Sequence, residues 1–168
     1  MGTDFAGIAN ISLALSLLVA VVFGILQFRA AARDRRERLT MDTLRAFQSR
    51  DFASKINMIR LSGPPETIDE ISERPADEQI EILQLAQEME SLGLMVEEHM
   101  IDLDLVEKSL GSFVVDAWKR YAPLMRSGRE KDPYLGEYFE WLAVCLEDRM
   151  RTQPRVPAHQ RLPGRAAS

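Results

Sequence analysis

Few residues of this chain can do chemistry. It has two histidines, His99 and His159, and one cysteine, Cys145, against an abundance of carboxylates. A zinc centre needs three or four convergent Cys, His or carboxylate ligands. His99 follows Glu97-Glu98 at an expected helix-to-helix turn and has no further ligand at a recognisable spacing, so it reads as an isolated surface histidine. The Arg-x4-6-His pattern of helical ribonucleases fails for both histidines, because Leu92, Gly93, Leu94, Thr152, Gln153 and Pro154 stand where the arginine belongs. There is no phosphate-cradling glycine loop and no nucleophile elbow. Carboxylates without a defined spacing are not an acid/base pair. The sequence therefore predicts a protein that is not an enzyme, with no catalytic residue, no cofactor and no metal. An enzymatic reading would need a polar, enclosed pocket around Glu90, His99 and Trp118.

The elements around these residues are organised by one stretch. Phe5 to Phe28 carries no charged side chain, and Asp4 is the only ionisable one between Met1 and Phe28. Twenty-four residues at 1.5 Å each make a helix of roughly 36 Å, enough to cross a hydrocarbon core of about 30 Å with some tilt. A core helix would show a polar face. A signal peptide would carry its basic residues before the apolar run and a cleavage site after it, whereas here Arg29, Arg33, Arg35, Arg36 and Arg38 follow the run. The reading is an uncleaved single-pass anchor. The arginines hold its carboxyl side in the cytosol. Residues 1–4 become a short external stub on an inner (cytoplasmic) membrane and residues 29–168 lie inside. One cysteine, which cannot form an internal disulfide, agrees with that compartment.

Within the span, Ser12, Ser16, Ala20 and Gly24 recur at every fourth position. Small residues at this spacing let helix backbones approach in lipid. They mark either a self-association face or merely the usual composition of a span. Asn10 would hydrogen-bond across that face or reach the headgroups. Asn10-Ile11-Ser12 matches a glycosylation acceptor that could not be used inside the bilayer.

The chain has 168 residues, 46% hydrophobic and 28% charged, with a net charge of −5. Beyond the span this leaves one small domain with a modest core. Residues 29–61 read as basic juxtamembrane helix, continuous with the anchor or separate from it. Nine basic and four acidic residues lie between Arg29 and Arg60. An electrostatic collar on anionic headgroups accounts for them at about 1 kcal/mol per basic residue. A nucleic-acid role is not expected, since no aromatics are interleaved. Ser62-Gly63-Pro64-Pro65 interrupts the helix.

Residues 66–107 then carry fourteen acids and one basic residue, Arg74. They form either a solvated acidic face or a surface that docks on residues 29–60 of the same or a neighbouring subunit. Helices are expected from about Pro75 to Val96, with Glu90 beside the apolar face and needing a partner if buried. A second runs from an Asp102 N-cap to Ser127-Gly128, and a third is started by Asp132-Pro133. The last would bury Tyr134, Tyr138, Trp141, Leu142, Cys145 and Leu146, with Cys145 an inert thiol. Residues 62–151 make this acidic helical domain. From Thr152 onward, three prolines and three arginines with no acids predict a disordered tail over 152–168.

The apolar span with its arginines, then LTMDTLRAFQSRDFA, EMESLGLMVEEHMIDLDLVEKSLGSFVVDAWKRYAPLMR and PYLGEYFEWLA, resemble a bacterial family of domains of unknown function. Its members are small single-span proteins with a helical cytosolic part. The resemblance rests on the order of Glu90 and Gly93, Ile101-Asp102, Trp118, and Tyr138-Phe139-Trp141-Leu142. It covers most of residues 5–145. It implies an all-α, membrane-anchored protein and supplies no activity. Together these readings predict a non-enzymatic module whose partners are the lipid bilayer, further copies of itself and a cytosolic protein held on its acidic face. The alternative is an oligomeric pore-forming or membrane-perturbing effector, as in phage defence.

Overall fold

The computed structural model describes residues 2–157 and 160, and their side chains apart from those of residues 2–12, 14 and 59. The side chains of Asn10 and Ser12, together with His159 and the other expected tail positions 158 and 161–168, lie outside the described residues. The protein is all-α, with no strand among the described residues. Among the described residues six helices follow in order: α1 (Gly2–Ala46), α2 (Arg50–Ser62), α3 (Ile68–Ser72), α4 (Ala76–Glu97), α5 (Leu103–Gly128) and α6 (Glu137–Thr152). The chain divides into two compact units, Met1–Leu39 and Thr40–Ser168.

The first unit is helix alone. α1 already includes Gly2 and continues past the apolar run, so no helix end separates that run from the arginines behind it. Strong helix formers and the absence of Pro and Gly between Phe28 and Ala46 explain the continuity.

In the second unit α4, α5 and α6 enclose the core. Leu85, Met89 and Leu92 from α4, Val106, Val114 and Leu124 from α5, and Phe139, Leu142 and Leu146 from α6 are almost fully buried. α4 packs extensively on α6, and α5 packs on α6 from its own side. α2 lies against α4 and α3 against α5. Trp118 meets Phe139 edge to face, with ring centroids 5.1 Å apart, an arrangement worth about 0.5–1.5 kcal/mol beyond its burial.

Helix ends follow local chemistry at most places. Gly63, at φ 74°, and the two prolines after it end α2 as expected. The Asp102 carboxylate accepts the backbone N–H groups of Asp104 and Leu105 and caps α5.

Two boundaries differ from the expectation. The helix expected over 29–61 is broken at residues 47–49, because Ser49 Oγ accepts the Phe52 N–H at 3.1 Å and starts α2 as an N-cap. The last helix begins at Glu137, not at Pro133. Asp132 closes a turn instead, its carboxylate accepting the Tyr134 N–H at 3.1 Å. Tyr134, expected in the core, is therefore 73% exposed, and Trp141 is 39% exposed on the outer side of α6.

Candidate functional site

Nearly all the residues singled out for membrane and self-association roles are bare. Ser16, Ala20 and Gly24 are exposed, and a Cβ at Gly24 would meet nothing within 4 Å. Every side chain from Leu15 to Phe28 is exposed too, including Phe23 at 60% and Phe28 at 77%. Arg29, Arg33, Arg35, Arg36 and Arg38 all project into solvent, with Arg33 paired to Glu37 one turn on at 2.9 Å. Leu15–Ala46 is long and apolar enough to cross a membrane. The fourth member of the small-residue row, Ser12, is outside the described side chains.

Four of the residues that mark the family resemblance, Glu90, Gly93, Tyr138 and Phe139, instead meet at the α4–α6 seam. Glu90 is the partner that the start of α6 lacks. Gly136, the residue before α6, sits in the left-handed region at φ 67° and has no side chain to cap with. The Glu90 carboxylate reaches across from α4 and accepts the N–H groups of Tyr138 at 3.1 Å and Phe139 at 3.0 Å. A negative charge at a helix N-terminus also meets the positive end of the helix dipole. One turn along α4, Gly93 lets the Tyr138 backbone lie directly on the helix surface.

Arg129 locks the turn from outside. It donates to Leu135 O at 2.8 Å and Gly136 O at 3.2 Å, pairs with Glu140 at 2.5 Å, and stands 5.9 Å over the Trp118 ring. Glu90 and Trp118 are thus both committed to packing. His99 has a separate local role, as the positive-φ residue (57°) that ends α4. The N–H groups of Met100 and Ile101 behind it both return to Met95 O.

The acidic stretch is partly neutralised from within. Lys55, buried on α2, donates to Glu88 at 2.6 Å and lies 4.0 Å from Glu81. Glu107, buried on α5, accepts Arg149 at 3.0 Å and Arg155 at 2.8 Å, and Arg149 also pairs with Asp104. The pairing matters because a buried carboxylate without a partner is costly. Sequence reading missed both groups, although the signal existed. Lys55 interrupts the apolar stripe Phe52, Ile56, Ile59 of α2, and Glu107 lies in line with Gly111, Val114 and Trp118 of α5. Arg155 belongs to the expected tail, and its contact fixes that position against α5.

Cys145 is only half buried, and desolvation pushes its thiol above the ordinary value. A protonated thiol is a poor nucleophile. Among the described residues no three His, Cys, Asp or Glu side chains converge as a metal site.

Comparison with known proteins gives one match. A family model described as a domain of unknown function, DUF4760, matches residues 14–144. No curated protein and no solved structure matches the chain.

Proposed function

This chain belongs to the DUF4760 family of domains of unknown function, and from that premise we propose that it is a membrane-anchored helical module of a bacterial inner membrane. One observation carries the reading: the apolar side chains of α1 from Leu15 to Phe28 are exposed on every face of the helix. Each such side chain gains about 1.5–3 kcal/mol when taken out of water. The bilayer supplies that burial and also satisfies no backbone group, which a continuous helix does not need. The arginines after the run support an orientation with the amino end outside and residues 29–168 in the cytosol. The row Ser16, Ala20 and Gly24, open at each position, supports self-association of the span. The acids left outward on and around α3, Glu66, Asp69, Glu73 and Asp77, support a basic protein partner. In this reading the module tethers and presents, and performs no reaction.

The test is fractionation of cells expressing the full chain. Wild-type protein should pellet with membranes and resist carbonate extraction. The double variant Leu18→Arg and Val22→Arg adds roughly 5–7 kcal/mol to insertion and should move to the soluble fraction. Wild-type protein released by carbonate would sink the proposal.

A further inference from the structure

Helix α4 turns one face to the core and leaves another bare. Along the bare face stand Ile80, Leu83, Gln84, Gln87, Ser91 and Leu94, with Ile80 54%, Leu83 55% and Leu94 40% exposed. This stripe runs for about four turns, roughly 21 Å, without a charge. The acids that fall within it in sequence, Glu81, Glu88 and Glu90, are turned to Lys55 or to the amides of Tyr138 and Phe139. Exposed acids stand at its two ends, Glu73 and Asp77 at one and Glu97 and Glu98 at the other. A patch depleted of charge at its centre and charged at its rim has the build of a protein interface.

The same unit carries a surface of opposite character. Leu85 lies about 200° round the helix from Leu83. There α2, α4 and α5 border a cavity of about 190 Å³ walled by Ile56, Leu85, Phe113 and Ala117. Past Ile56 and Phe113 it opens into a groove of about 320 Å³ that includes Phe52, Ala53 and Asn57. Its exposed charged residues are Arg60, which borders both, with Arg120 and Asp116, so the rim is net positive.

We propose that the bare face of α4 in one copy docks into the α2–α5 groove of another, with Ile80 and Leu83 against Ile56 and Phe113 and with Glu73 and Asp77 beside Arg60 and Arg120. The proposal deepens the self-association reading above and gives the acidic surface its basic partner in the next copy. A helix laid by its apolar stripe into a hydrophobic groove is a recurring mode of recognition, and the contact takes the hydrocarbon of both surfaces out of water. Charge selects the groove over a second α4. Pairing two α4 stripes would set Asp77 beside Glu97 if antiparallel, or each beside its own copy if parallel, and like charges in juxtaposition are repelled. The two surfaces lie on different sides of α4, so each copy offers both and the contact is head-to-tail.

The experiment is thiol cross-linking of the full chain in the cells that express it, in a Cys145→Ala background. Copies with Asn57→Cys, at the groove, and copies with Gln84→Cys, beside Leu83, carry different affinity tags and are produced together. A short bismaleimide should give a linked species that contains both tags. Leu83→Lys in the Gln84→Cys copy sets a cation against the basic rim and should lower the yield of that species about tenfold. Its circular dichroism checks the fold, since position 83 is exposed. No mixed species overturns the proposal, as does a yield that Leu83→Lys leaves unchanged. Links confined to pairs of Gln84→Cys copies overturn it too, because α4 then meets α4. Carbonate extraction of the same cells reads the anchor separately: a chain released by carbonate that still gives the mixed link sinks the membrane reading and supports this contact.

Discussion

A methyl group on Gly93 would stand 2.2 Å from the Tyr138 carbonyl oxygen, and that oxygen belongs to backbone which cannot swing aside. Gly93→Ala must therefore part α4 from α6 and should cost about 3 kcal/mol, the upper end for overpacking. The readout is thermal unfolding, with a midpoint lowered by more than about 10 °C. Tyr121 gives a second expectation at this scale. Its pKa is about 12 folded against 10.0 unfolded, so the folded state holds the phenolic proton more tightly. The resulting stability is fully present below pH 10 and is lost as pH rises toward 12, to a total of about 3 kcal/mol. Stability measured from pH 9 to 12 should fall more steeply in wild-type protein than in Tyr121→Phe. Equal slopes would mean that the hydroxyl is not desolvated.

Among the elements, α6 depends on a residue it does not contain. Glu90→Ala leaves the N–H groups of Tyr138 and Phe139 without an acceptor, at about 1–3 kcal/mol. Amide hydrogen exchange at these two residues should quicken by about tenfold or more, whereas amides near Leu146 should keep their protection. Such dependence also explains which parts were legible in the sequence. The break at Gly63-Pro64, the Asp102 cap and the apolar stripe of α5 are written in neighbouring residues, and they were read within a residue or two. The start of α6 was misplaced because Asp132-Pro133 carries a local start signal, while the actual cap comes from α4. Glu90 was read as either wet at the edge of the core or buried with a partner, and no spacing rule pairs it with two amides of a helix that begins at 137. The Ser49 cap was overlooked because apolar residues on both sides suggested continuity. The unpartnered Tyr121 hydroxyl was illegible: a tyrosine in an apolar stripe reads as core, and only coordinates reveal that its hydroxyl has no hydrogen-bond partner among the described residues.

For the molecule as a whole, the open row on α1 makes a prediction about assembly. If the span self-associates, Gly24→Leu should lower the mass of the full chain in nanodiscs or mild detergent from a defined oligomer toward the monomer, with the circular dichroism of the helical domain unchanged. An unaltered mass would remove this row from the interface. The seam between α4 and α6 bears on how the chain reaches its native state. Helix α5 lies between the two partners, so the Glu90–Tyr138 contact closes a loop of nearly fifty residues, and closure entropy must be met before the contact rewards it. The first turn of α6 is accordingly expected to form late in folding. Until it forms, Leu92 and Met89 leave hydrocarbon bare to water, the kind of surface that makes an incomplete chain prone to aggregate.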